Sequence, residues 1–174
     1  MTTALIILMA IVASVFFIHL LMGKGMNIER SITIDKPIKQ VFDYLKLTKN
    51  QDNFSVWNMT DPTMKKEYQG IDGQTGFIYK WDSTNKNVGA GEQEIKKIEE
   101  GKCIEYEVRF SRPMKNVGTP KFILDSFGSD KAKITWVFSC PTKFPMTLMK
   151  PIFQKILGRD LEKGLSNLKE VLEK

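Results

Sequence analysis

Six stretches between Met64 and Cys140 read as strands, the clearest of them alternating apolar and polar residues, and most end at a turn signal. In "GFIYKWDS", Phe77, Tyr79 and Trp81 share one side while Lys80 and Asp82 take the other. "KCIEYEVRFS" sets Ile104, Tyr106, Val108 and Phe110 against Glu105, Glu107 and Arg109, and "AKITWVFSC" aligns Ile134, Trp136 and Phe138. "MKKEYQG", the strongly charged "GAGEQEIKKIEEG" and "TPKFILDSFG" complete the set, with Gly70, Gly73, Gly101 and Gly128 at turns. A period of two with short connections predicts an antiparallel sheet with one apolar face. Pro113 and Pro120 are expected at strand ends. An apolar sheet face needs a cover. The C-terminal segment supplies one: Met149, Ile152, Phe153, Ile156, Leu157, Leu161, Leu165, Leu168 and Leu172 recur as a single helical stripe. Pro151 and Gly158 are the positions where that helix would kink.

Ahead of the strands, "MNIERSITIDKPIKQVFDYLKL" reads in two parts. Ile28, Arg30, Ile32 and Ile34 alternate with Glu29, Ser31 and Thr33, which predicts a strand. Asp35 is then an N-cap, Pro37 sits in the first helical turn, and Ile38, Val41, Phe42 and Leu45 follow at helical spacing. "TKNQDNFSVW" is a second short helix or turn that brings Trp57 to the core.

Residues 4–23 hold no Asp, Glu, Lys or Arg. About 20 residues at roughly 1.5 Å each span the hydrocarbon core of a bilayer. Twelve of residues 5–21 are Leu, Ile, Val or Phe, a composition that favours insertion by about 4–7 kcal/mol. "MTTA" lacks a basic side chain and "LLMGKG" offers no clear cleavage site, so the run reads as an uncleaved transmembrane helix rather than a signal peptide. Lys24, Arg30, Lys36 and Lys39 lie on its C-terminal side, which places the globular part in the cytoplasm by the positive-inside rule. The expected organisation is an anchor over 1–23, a linker over 24–27 and one domain over 28–174. So short a linker holds the domain at the membrane surface.

The order strand, two short helices, six antiparallel strands and a long closing helix resembles the helix-grip fold of the START-like SRPBCC superfamily, and among its members the polyketide cyclase/dehydrase-like proteins. "ERSITIDKPIKQVFDYL", the Trp57 region and "LGRDLEKGLSNLKEVLE" carry the resemblance, which spans about residues 28–173. It implies an α+β fold in which a curved antiparallel sheet wraps around the C-terminal helix. Between the two it implies a pocket for an apolar small molecule. The candidate lining is Trp57, Phe77, Tyr79, Trp81, Tyr106, Phe110, Phe122, Trp136, Phe138, Met149 and Phe153; the alternative is that these residues simply pack as core.

Several chemistries find no support. The single histidine, His19, lies in the apolar run, so the domain has no Ser-His-Asp, Cys-His or histidine-metal arrangement. Cys103 and Cys140 read as free thiols. Glu92/Glu94 and Glu105/Glu107 each share the strand face opposite the apolar one, as solvent-facing charge. The net charge of +6 is not arranged as a nucleic-acid signature, since lysines alternate with acids over Glu92–Glu100. No cofactor or metal is expected. Three functions stay open: a membrane-anchored module binding a lipid or other hydrophobic molecule, with the bilayer as partner; a pocketless structural or protein-interaction domain; and a cyclase- or dehydratase-type enzyme relying on Tyr79 or Tyr106.

Overall fold

A computed structural model describes residues 2, 3, 6, 7, 9, 25–142 and 145–174. The chain forms β1 (Gly25–Ile34), α1 (Ile38–Leu45), a 3-10 turn over Thr48–Asn53, α2 (Val56–Thr60), and β2 (Lys65–Gln69). β3 (Ile78–Asp82), β4 (Ala90–Glu99), β5 (Cys103–Arg112), β6 (Asn116–Ser126) and β7 (Ala132–Pro141) follow. A 3-10 turn over Met146–Met149 then leads into α3 (Lys150–Glu173). The strands form one curved antiparallel sheet in the order β1-β7-β6-β5-β4-β3-β2, with α3 against it. This is the expected α+β helix-grip arrangement.

Residues 2, 3, 6, 7 and 9 are helical and exposed. The transmembrane span expected over 1–23 otherwise lies outside the described residues, among which no helix is long and apolar enough to cross a membrane. β1 begins at Gly25, so residues 25–27 of the expected linker are strand. Gly25 pairs with Pro141 and Met26 with Cys140, because β7 extends far enough to offer them backbone partners.

The core sits between the sheet and the C-terminal half of α3. Leu161, Leu165 and Leu168 are at most 1% exposed, and they meet Ile34, Ile104, Phe122, Ile134 and Trp136 in one buried cluster. Gly164 makes this contact close: a Cβ there would stand 2.8 Å from Cζ3 of Trp136, so a larger residue would push the indole off the helix. Gly158 works similarly beneath the Arg30 guanidinium, whose Nε lies 3.9 Å from Glu162. Further along, Lys169 donates to the Thr33 carbonyl at 2.8 Å, and the Asp35 N–H donates to Glu173 at 2.6 Å. α3 thus runs beside β1 in the same direction.

Four expectations change. The helical stripe is not uniformly inward: Met149, Ile152 and Ile156 are 45%, 51% and 43% exposed. The helix overhangs the core at its N-terminal end. Pro151 occupies its first turn, where a missing N–H breaks no helical hydrogen bond. Pro120 lies inside β6, not at its end. It pairs with Phe138 of β7, while the β5–β6 ladder is interrupted between Glu105↔Lys121 and Val108↔Gly118. The interruption falls where a proline has no N–H to give. Asp35 does not cap α1, whose N-cap is Pro37 without a side-chain bond; its carboxylate instead pairs with Lys131 at 2.8 Å. Trp57 packs against the core as expected, partly buried, and Phe54 is the fully buried ring of that segment.

Two helix residues separate the covered from the overhanging part. Leu165→Ala should cost about 2–5 kcal/mol, as expected for a buried leucine. Ile152→Ala should stay within about 0.5 kcal/mol. Urea denaturation of both variants measures this, and equal losses would contradict the assignment.

Candidate functional site

Away from the α3 core, the sheet and the helices do not close on each other. A cavity of about 340 Å³ remains, at the lower end of the range for small-molecule sites. β3 and β5 supply Tyr79, Trp81, Val108 and Phe110 to its wall. β6 and β7 supply Pro120, Phe122, Trp136, Phe138 and Cys140. Trp57 closes it from α2, with its ring edge-on to Trp136 at 6.0 Å. Phe153 and Leu157 close it from α3.

Eight of the eleven side chains expected on this face therefore stand in the wall: Trp57, Tyr79, Trp81, Phe110, Phe122, Trp136, Phe138 and Phe153. Three do not. Phe77 and Tyr106 are each 1% exposed and belong to the packed core, where the Tyr106 hydroxyl donates to the Leu45 carbonyl at 3.3 Å. Met149 is exposed at the end of the 3-10 turn that leads into α3. The aromatic pattern also left out several wall residues. Val108 lies between Tyr106 and Phe110 on the same strand face, so its period was a sufficient signal. Met26 extends the alternation of Ile28 backwards by two. Gln93 sits two residues before the buried Ile95 and faces inward; the surrounding charges of β4 concealed it.

Two glycines keep the wall rings in place. A Cβ at Gly91 would stand 2.8 Å from the Trp81 ring, and one at Gly118 would stand 2.7 Å from Cζ of Phe138.

The polar groups in the wall are few and mostly neutral. Gln93 is the cross-strand partner of Tyr79, on the same face of the sheet. The Tyr79 hydroxyl has only the Met64 sulfur, at 4.0 Å. Gln93 Nε2, Trp136 Nε1 and Thr142 Oγ1 are buried without a hydrogen-bond partner. Such orphans call for an explanation in a folded protein. Arg112 is engaged at the rim by Asp82. No Asp, Glu, Lys or His stands in the wall among the described residues. Burial pushes the Tyr79 hydroxyl well above the ordinary tyrosine range, so it is a hydrogen-bond donor at neutral pH and not a base. Burial also raises the Cys140 thiol, which keeps it protonated and unreactive.

The charged side of the sheet is a separate feature. Arg109 binds Glu92 at 2.7 Å, Glu94 at 2.9 Å and Glu107, while Lys121 binds Glu105 at 2.7 Å. The glutamates expected to face solvent are thus half-buried and paired. No group of His, Cys, Asp or Glu among the described residues is placed to hold a metal ion.

The comparisons agree with this geometry. A family model described as "Polyketide cyclase / dehydrase and lipid transport" matches residues 26–173. Truncated norcoclaurine synthase from Thalictrum flavum superposes with a TM-score of 0.65 at 10% identity, covering 85% of this chain and 93% of the synthase. A protein from Chromobacterium violaceum gives 0.60 at 13% identity, covering 85% and 97%. The Aha1 dimer from Colwellia psychrerythraea gives 0.59 at 14%, covering 85% and 96%. At these identities the likeness is one of fold. No curated protein matches the chain.

Burial of two tyrosines sets an alkaline limit. The hydroxyls of Tyr79 and Tyr106 are both held above the ordinary tyrosine range, with desolvation as the largest cause. The folded state therefore holds their protons where the unfolded chain releases them. Their contribution to stability is complete below pH 10 and is lost as the pH rises through and beyond that value. Stability should fall between about pH 9 and about pH 11, and Tyr79→Phe should make the fall shallower. Urea midpoints across that interval test this; identical slopes would refute the assignment.

Proposed function

The chain belongs to the polyketide cyclase / dehydrase and lipid transport family, and on that premise we propose that it binds a lipid or other hydrophobic small molecule in the cavity between sheet and helices. The observation that carries this reading is the wall itself: aromatic and aliphatic surface enclosing about 340 Å³, with no carboxylate, ammonium or imidazole among the described residues. A charged ligand would lose its hydration there without compensation, whereas an apolar one gains burial. The unpartnered Gln93, Trp136 and Thr142 groups favour a ligand that also carries an oxygen acceptor over a pure hydrocarbon. The uncharged stretch over 4–23 would hold the domain at a bilayer, on its cytoplasmic side by the charge rule. Acid–base catalysis fits less well, because Tyr79 is the wrong group for a base at neutral pH and nothing in the wall complements it.

Native mass spectrometry of the full chain, purified in a mild non-ionic detergent, tests the proposal. A discrete added mass, distinct from detergent and lost on denaturation, is the expected result. Val108→Trp, which fills the cavity, should remove that mass while leaving the circular dichroism unchanged. A bare wild-type chain that takes up nothing from a lipid extract would overturn the reading.

A further inference from the structure

One end of the molecule collects four features that no ligand inside the cavity explains. The first is apolar surface. Met149, Ile152 and Ile156 are each more than two-fifths exposed; Ile152 and Ile156 lie within about 40° of each other on a helix that turns about 100° per residue, and Met149 ends the 3-10 turn that leads into that helix. Next to the two isoleucines on the same helix, Phe153 and Leu157 enter the cavity wall. The exposed strip and the inner wall are therefore one continuous apolar surface. Exposed Met114, in the β5–β6 connection, also lines the cavity.

The second feature is charge. Lys155 and Arg159 flank the apolar strip on α3 and are exposed, as are Lys86 and Lys115 in the two connections at this end of the sheet. The acids nearby are engaged: Asp82 by Arg112, Asp61 by Ser83 and Thr63, and Asp160 by the neighbouring Arg159 guanidinium at 4.0 Å.

The third is the point where the chain leaves the domain. α3 and β1 run in the same direction, with Gly158 beside Arg30 and Glu173 beside Asp35. The start of β1 consequently lies at the same end as the start of α3. Met26 and its partner Cys140 both stand in the cavity wall. The fourth is what lies beyond that point: 20 consecutive residues without a charge, ending two residues before Gly25. A two-residue connection reaches only about 7 Å, so the chain enters the domain at this end.

We propose that the α3 overhang and the turn before it, with Met149, Ile152 and Ile156 at the centre and Lys155 and Arg159 at the border, form a docking face for an anionic phospholipid bilayer, onto which the cavity opens. Aliphatic side chains entering the headgroup boundary with basic residues beside them are the chemistry of an interfacial helix. Each basic residue near an anionic surface adds attraction that salt screens. The inference deepens the membrane-held, ligand-binding reading above and rests on its membrane placement. It adds that a ligand passes between acyl chains and cavity without crossing water.

The full chain reconstituted into vesicles tests it. An environment-sensitive nitrobenzoxadiazole label is placed on Ile156→Cys or, as a reference at the other end of α3, on Glu170→Cys. The wild-type chain, carried through the same labelling, reports any reaction of the native thiols. In phosphatidylcholine vesicles with a minority of phosphatidylglycerol, the label at 156 should shift to the blue and be quenched by spin-labelled acyl chains, and the label at 170 should do neither. Lys155→Glu with Arg159→Glu, both on exposed positions, should return the 156 label toward its aqueous emission. Equal, water-like emission from both labels, or a chain that does not associate with the vesicles, would overturn the docking face. Native mass spectrometry decides separately on the ligand: a bare mass with an immersed 156 label removes the ligand reading and leaves the membrane face standing.

Discussion

The cover of the sheet by one helix is the constraint on which the rest of this molecule depends. Seven strands at about 4.8 Å spacing make a sheet nearly 30 Å wide, whereas a helix with its side chains is about 10 Å across. A single helix cannot seal such a face. Here α3 lies along β1 and holds the sheet most closely where Gly164 lets Trp136 reach the helix backbone. The two short helices and the 3-10 turn cover part of the remainder, and Asp72 secures that turn by accepting the Thr48 N–H at 2.7 Å. What they leave uncovered, under Tyr79, Trp81 and Phe110, is the cavity. It is a consequence of geometry before it is a feature of any ligand.

The two halves of α3 differ accordingly. From Gly158 onward the buried face consists of Gly158, Gly164 and four leucines, and the helix is clamped by Arg30, Lys169 and Glu173. Before Gly158 the side chains are larger and fewer of them have a neighbour on the sheet. The same apolar stripe therefore does two physical jobs. Its C-terminal part is stabilised by burial, and its N-terminal part forms cavity wall and an exposed rim. The interruption of the β5–β6 ladder at Pro120 lies in the same region, so the sheet is least regular where it borders the cavity.

Much of this was legible in the chain. Alternation together with the turn residues between them located the six later strands, and the strand Ile28–Ile34 was recognisable from its own alternation. The aromatic residues of the inner face were mostly those of the cavity wall. The errors share a cause. Phe77 and Tyr106 carry the same local pattern as Tyr79 and Phe110, one or two strand positions away, and only the position of α1 and its neighbours decides which rings are packed over. Gln93 was hidden because strand polarity is judged from neighbours, and its neighbours are glutamates that pair with Arg109 on the opposite face.

The sequence by itself determined the order of elements, the apolar face of the sheet and the stripe on the closing helix. All of these depend on local periodicity or on composition. Only the tertiary structure decided that the face is not filled, that Met149, Ile152 and Ile156 overhang it, and that β1 and α3 begin at the same end. These outcomes follow from how elements distant in the chain fit together: a helix aligned by contacts such as Arg30 with Gly158, and Thr33 with Lys169, whose partners are separated by more than a hundred residues. No local pattern records such distances, because periodicity reports which side of an element is apolar and not what stands opposite it.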